Sequence, residues 1–252
     1  MCGHARRGRC AVLPELPDSD SDDPGPPAVV AREIRVRGPW GPVYGPVDLE
    51  IPAGGANVLI CPAGSGRTAL LMTIAGRMAP QSGELTVFGA SDARGIFAKS
   101  ALAGIDELDT VPESVTVRDL ITEQLRWDAP WYRLVRRADT AALTAICAPA
   151  FGPHPLPPLD EYFEELSELD RLLLRIALAN TKRPPLLVVG NLDFVTSDLN
   201  RDLLIERLVD LGREQTIVTA TVNGVTGHDV RSQIPVANAD RAELSESQKG
   251  TG

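Results

Sequence analysis

The sequence predicts an α/β fold: a mostly parallel central sheet with a helical insert between its two halves. Three observations predict it. The short apolar runs ANVLI (56–60) and LLVVG (186–190) have the character of strands covered on both faces. Stretches of helical period alternate with such runs along the chain. A glycine-rich loop, CPAGSGRT (61–68), stands between the first run and a helix. In that setting successive backbone N–H groups can curl around phosphate oxygens.

The elements follow in order. VVAREIRVRG (29–38) alternates apolar and polar residues, as a half-buried strand does. GPWGPVYGP (38–46) is a turn-rich connection, and VDLEIPAGG (47–55) alternates again before a glycine turn. After the loop, TALLMTIAGRMAP (68–80) is a helix stopped by Pro80, and SGELTVFG (82–89) is a strand. From about 106 to 165 the pattern is mostly helical, with a break at Pro130. ELSELDRLLLRIALAN (165–180) begins a long apolar-faced helix, and RPPLLVVGN (183–191) is a buried strand. SDLNRDLLIERLVDLGR (197–213) is an amphipathic helix with Ser197 at its N-cap, and Asp198 and Asn200 at its start. QTIVTATVN (215–223) is a last, β-branched strand. The expected organisation is a disordered acidic, proline-rich leader (1–27), one domain (28–224) and a polar C-terminal tail (225–252).

Composition narrows the function. The 252 residues carry a formal charge of −9, which argues against non-specific nucleic-acid binding. Four scattered cysteines and three separated histidines show no metal-type spacing and suit a reducing compartment. No apolar run is long enough for a transmembrane helix. A soluble, cytoplasmic chain is expected.

The loop departs from the phosphate-binding pattern G-x-x-x-x-G-K-[ST]. Cys61 replaces the opening glycine, Gly66 is kept, Arg67 replaces the lysine, and Thr68 keeps the hydroxyl that touches magnesium in such loops. A guanidinium is planar and larger than an ammonium, so it can pair with phosphate yet hold it in a shifted position.

Taken together, six segments resemble, in order, the nucleotide-binding domain of ABC transporters over roughly residues 28 to 223. They are the loop with its flanks, TVRDLI (116–121), ELSELDRLLLRIALA, RPPLLVVGN, TSDLNRDLLIERL (196–208) and QTIVTATVN. The resemblance implies a P-loop NTPase fold of ABC type, a mostly parallel central sheet with an antiparallel β edge and a helical subdomain. It implies ATP held by Cys61, Pro62, Ala63, Gly64, Ser65, Gly66, Arg67, Thr68 and Ala69, with Mg2+ at Thr68. Adenine would stack on Trp40 or Tyr44, with Trp40 favoured. The family's magnesium-supporting aspartate falls on Gly190, its catalytic glutamate on Asn191 and its switch histidine on Val222. A three-residue slip would instead put Asp193 in the aspartate's place; the other reading of Asp193 is a loop residue. The signature segment is Leu166, Ser167, Glu168, Leu169 and Asp170, whose two carboxylates would repel phosphates bound on an opposing subunit. Asp106 and Glu107 lie near the position of the family's glutamine.

These departures leave three expectations open. The first is a degenerate ATP-binding subunit, binding ATP weakly and coupled to an integral membrane permease-type subunit at the inner face of the cell membrane. It would pair as a homodimer or with an intact ABC subunit. The second is a scaffold or regulatory protein that has lost nucleotide. The third is an active P-loop ATPase. Trp127, Trp131, Tyr132 and Phe151 either form a docking surface or fill the small helical core.

Overall fold

The computed structural model describes residues 26–105 and 114–239. The leader up to residue 25, the segment holding Asp106 and Glu107, and the tail from residue 240 lie outside the described residues.

In chain order the elements are β1 (Val29–Gly38), β2 (Gly41–Ile51), β3 (Gly55–Ile60), α1 (Ser65–Ile74), β4 (Ser82–Val87), α2 (Ala93–Lys99), β5 (Ser100–Ala103), α3 (Val117–Asp128), α4 (Thr140–Phe151), α5 (Glu168–Ala179), β6 (Leu186–Asn191), α6 (Asp198–Gly212), β7 (Thr216–Thr221) and β8 (Ser232–Pro235). Five strands form a parallel sheet in the order β5-β6-β7-β3-β8. The antiparallel strands form a sheet of their own, β2-β1-β4. Every residue of β6 and β7 is buried, which is why these runs read as continuously apolar or β-branched.

Two cores result. One packs α3 to α6 against one face of the parallel sheet, around Phe151, Leu173 and Leu174. The other sandwiches α1 between the two sheets, around Ile34, Leu70 and Ile74.

Four features differ from the sequence expectations. The connection 38–46 is largely strand, because β2 begins at Gly41. Its prolines are tolerated because β2 is an edge strand with no ladder on its outer side. α1 stops at Ile74, well before Pro80, since Gly76 turns the chain with φ 67°. Ser197 stands at the N-cap of α6 but makes no side-chain capping bond. The polar stretch after 224 contributes β8, which pairs with β3, and Ala239 is fully buried. Its weak periodicity reflects an edge strand with one exposed face.

Candidate functional site

The carboxyl ends of β3, β6 and β7 lie side by side, since β7 pairs with both neighbours. Ligand sites of parallel α/β sheets form at this end. β3 leads into the glycine-rich loop. The Cys61 N–H donates to the Thr221 carbonyl at 3.0 Å, tying the start of the loop to the end of β7. Gly64 caps α1 without a side chain, and the first turn of α1 has no acidic residue, so its positive end is not neutralised locally. Gly66 is fixed by close packing: a Cβ there would lie 1.9 Å from the Ala239 carbonyl oxygen and 2.5 Å from that of Val43. Backbone from β2 and from the segment after β8 therefore moulds the loop.

Arg67 is buried. Its Nη1 donates to Asp193 Oδ2 at 2.8 Å. Asp193 comes from a single 3-10 turn, Leu192–Phe194, directly after β6. The same carboxylate accepts from Thr221 Oγ1 at 2.8 Å and from the Val222 N–H at 3.0 Å. One carboxylate thus fastens the start of α1 to the ends of β6 and β7. A buried guanidinium requires a partner anion. Here the chain itself supplies one, at the position from which a phosphate loop's cation reaches the ligand.

Of the other expected site residues, Gly190 and Asn191 are buried, Thr68 is half-buried and Val222 is exposed. Gly190 has no space for a side chain, because a Cβ would lie 1.9 Å from the Gly104 carbonyl oxygen. Its own carbonyl accepts from Thr219 Oγ1 at 2.7 Å. Asn191 is buried, and its Oδ1 accepts from the Asp193 N–H at 2.9 Å, shaping the turn that aims Asp193 at Arg67. Val222 is 40% exposed and contributes its backbone N–H. Thr68 follows Arg67 in α1 and is half-buried. Among the described residues no group of three or more His, Cys, Asp or Glu could hold a metal ion.

The signature-like segment opens α5. Ser167 is its N-cap, accepting from the Asp170 N–H at 3.0 Å and donating to Asp170 Oδ2 at 2.7 Å. Asp170 Oδ1 lies 2.8 Å from His154 Nε2. Glu168 Oε2 accepts from the N–H and the hydroxyl of Thr196, at 3.2 and 3.0 Å. Leu166 and Leu169 are core residues. Both carboxylates therefore hold segments of their own chain, Asp170 the start of α5 and His154, and Glu168 the segment before α6.

For adenine stacking, Tyr44 is excluded. It is fully buried, its hydroxyl donates to Thr73 at 2.8 Å, and burial pushes its phenol up to about 12. Trp40 stands 83% exposed in the β1–β2 turn. The aromatic group of the helical subdomain divides: Phe151 is core, while Trp127, Trp131 and Tyr132 are exposed.

Sequence reasoning missed the pairing of Arg67 with Asp193 and of Glu168 with Thr196. The available signal was a lone arginine and a lone aspartate just past the ends of two buried strands.

The family described as ABC transporter matches residues 44–190, more than half of the chain, from early in β2 to the end of β6. The chain belongs to the ABC transporter family. It is 34% identical over 70 residues to the cytochrome c biogenesis ATP-binding export protein CcmA of Xanthomonas campestris, covering 28% of this chain and 33% of that protein. It is 51% identical over 43 residues to ABC transporter G family member 20 of Dictyostelium discoideum, covering 17% of this chain and 6% of that protein. The matched stretches span a third or less of these relatives. Among solved ABC structures, cbiO1 from Clostridium perfringens, part of the ABC transporter complex cbiONQ, superimposes with a TM-score of 0.63 at 14% identity, over 90% of this chain and 93% of that one. A bacterial Atm1-family ABC exporter with ATP bound gives 0.62 at 14% identity, over 93% and 42%. At these identities the likeness is one of fold, and that fold is the ABC-type P-loop NTPase.

Proposed function

We propose that this ABC-family chain is an ATP-binding subunit with a degenerate site. It binds ATP weakly, hydrolyses it slowly or not at all, and couples to an integral membrane permease-type subunit. The observation that carries the reading is the buried Arg67–Asp193 pair. The loop keeps its cradle between β3 and α1, yet its cation is already neutralised. A phosphate approaching Arg67 must displace Asp193 or meet a carboxylate beside it, and like charges at such range oppose binding.

Hydrolysis by this fold needs a held metal, an oriented water and a clamp on the terminal phosphate. Magnesium, when bound in such a loop, screens the phosphates and orients the reaction. The residues here do not fit it: Thr68 offers a hydroxyl, but Asp193 is engaged by three donors and Gly190 has no room for a carboxylate. No metal-dependent step is assigned. Asn191 cannot take a proton from water, and its amide is used in the turn. The signature-like carboxylates, also used internally, favour pairing with an intact ABC subunit over a symmetric ATP-loaded homodimer.

Calorimetric titration with ATP, with and without magnesium, tests this on the wild type, Asp193→Asn and Arg67→Ala. The asparagine keeps one acceptor oxygen for the Val222 N–H, and its NH2 group can donate to Thr221 Oγ1, while the competing charge is removed. Weak wild-type binding, about tenfold tighter in Asp193→Asn and lost in Arg67→Ala, is expected. Thermal melting of each variant separates lost binding from lost fold. No binding by the wild type or Asp193→Asn up to millimolar ATP refutes the proposal in favour of the scaffold. Rapid turnover abolished by Arg67→Ala refutes it in favour of an active ATPase.

A further inference from the structure

Residues 126–139 run from the last turn of α3 to the N-cap of α4. Trp127 is 75% exposed, Trp131 96%, Tyr132 75% and Leu134 93%. The Trp131 and Tyr132 rings meet edge to face with centroids 5.9 Å apart. A turn closed by the Arg133 N–H on the Pro130 carbonyl, at 2.9 Å, presents them. Large apolar side chains this exposed, four within one short stretch, mark a contact surface.

The same stretch holds four arginines, Arg126, Arg133, Arg136 and Arg137, all exposed, against two aspartates. Both aspartates are engaged: Asp139 accepts from the Ala142 N–H at 2.9 Å, and Asp128 is 3.2 Å from Lys182 and 3.0 Å from Gln124. Arg137 reaches Asp119 at 3.5 Å across the surface. A chain of net charge −9 thus concentrates positive charge around its most exposed tryptophan. Tryptophan and tyrosine settle at the headgroup level of a bilayer, where the ring is buried and its polar edge stays wet. Arginine reaches lipid phosphates bidentately, and basic residues draw a protein to anionic lipid. Charge complementarity selects the partner, since a neutral apolar protein groove would not reward the arginines.

We propose that residues 126–139 form an interfacial membrane-binding loop for anionic phospholipid. Trp127, Trp131, Tyr132 and Leu134 enter the headgroup layer, and Arg126, Arg133, Arg136 and Arg137 pair with its phosphates. The contact is peripheral: no helix of the described residues is long and apolar enough to cross a membrane. The inference goes beyond the nucleotide reading and stands without it.

The test is co-sedimentation of the full chain with vesicles of phosphatidylcholine alone and of phosphatidylcholine containing phosphatidylglycerol. Partitioning to the anionic vesicles is expected, weakened by salt. The double variants Trp131→Ala/Leu134→Ala and Arg133→Gln/Arg136→Gln each lower it about tenfold. Melting temperatures stay at the wild-type value because the side chains changed are exposed. ATP titrations of the same variants also match the wild type, so failure of this proposal and failure of the nucleotide reading are distinguishable. Equal partitioning to both vesicle types overturns the proposal, as does partitioning that neither double variant weakens. No partitioning to either also overturns it, and assigns the loop to a protein surface such as a permease.

Discussion

Arg67 stands where a phosphate loop places its lysine, and that much is legible in the sequence. Its partner is not, because Asp193 lies 126 residues away and meets it only when β3 and β6 end on the same side of the sheet. Gly190 shows the same division. That the family's aspartate is missing can be read from the sequence. That no side chain fits follows only from the Gly104 carbonyl oxygen, 1.9 Å from where a Cβ would sit. Restoring the carboxylate by Gly190→Asp should therefore not rebuild a metal site. It should cost about 2–4 kcal/mol in denaturant unfolding, and added magnesium should recover none of it. A stable, magnesium-responsive variant would show that the backbone at Gly104, just past β5, yields at this point.

At the scale of elements, helix starts are set by local chemistry, although Ser197, the one cap read from the sequence, makes no side-chain capping bond. Thr116 and Asp119 form a reciprocal capping box at the start of α3, and Asp92, Asp139 and Ser167 cap α2, α4 and α5. Such signals lie within four residues and need no tertiary context. α2 and β5, at seven and four residues, are too short for period to reveal. The junction of α4 and α6 depends on a buried arginine: Arg207 donates to the carbonyls of Ala150 at 3.1 Å and Pro149 at 3.3 Å, satisfying the end of α4, and pairs with Asp210. Arg207→Met keeps the apolar stem and removes the donors. It should destabilise by about 2–3 kcal/mol, a fall of roughly 5–10 °C in Tm. An unchanged Tm would mean that water replaces the guanidinium there.

At the scale of the molecule, the segment after β7 completes both the sheet and the loop. β8 covers the edge of β3, the Val236 N–H donates to the Ile60 carbonyl at 2.9 Å, the Gly45 N–H donates to the Asn238 carbonyl at 2.8 Å, and Ala239 packs on Gly66. Ending the chain at residue 225 should expose the β3 edge and lower Tm by more than about 10 °C, with aggregation visible by size exclusion. A monomer that melts like the full chain would make β8 dispensable. By itself the sequence determined the α/β class, the strand–loop–helix unit and the family likeness, because burial on both faces and glycine turns are written locally. Only the tertiary structure decided that Arg67 is neutralised from within, that Glu168 holds Thr196 and Asp170 meets His154, and that Trp131 faces outward. Each of these depends on which distant segments adjoin, and no local pattern encodes that.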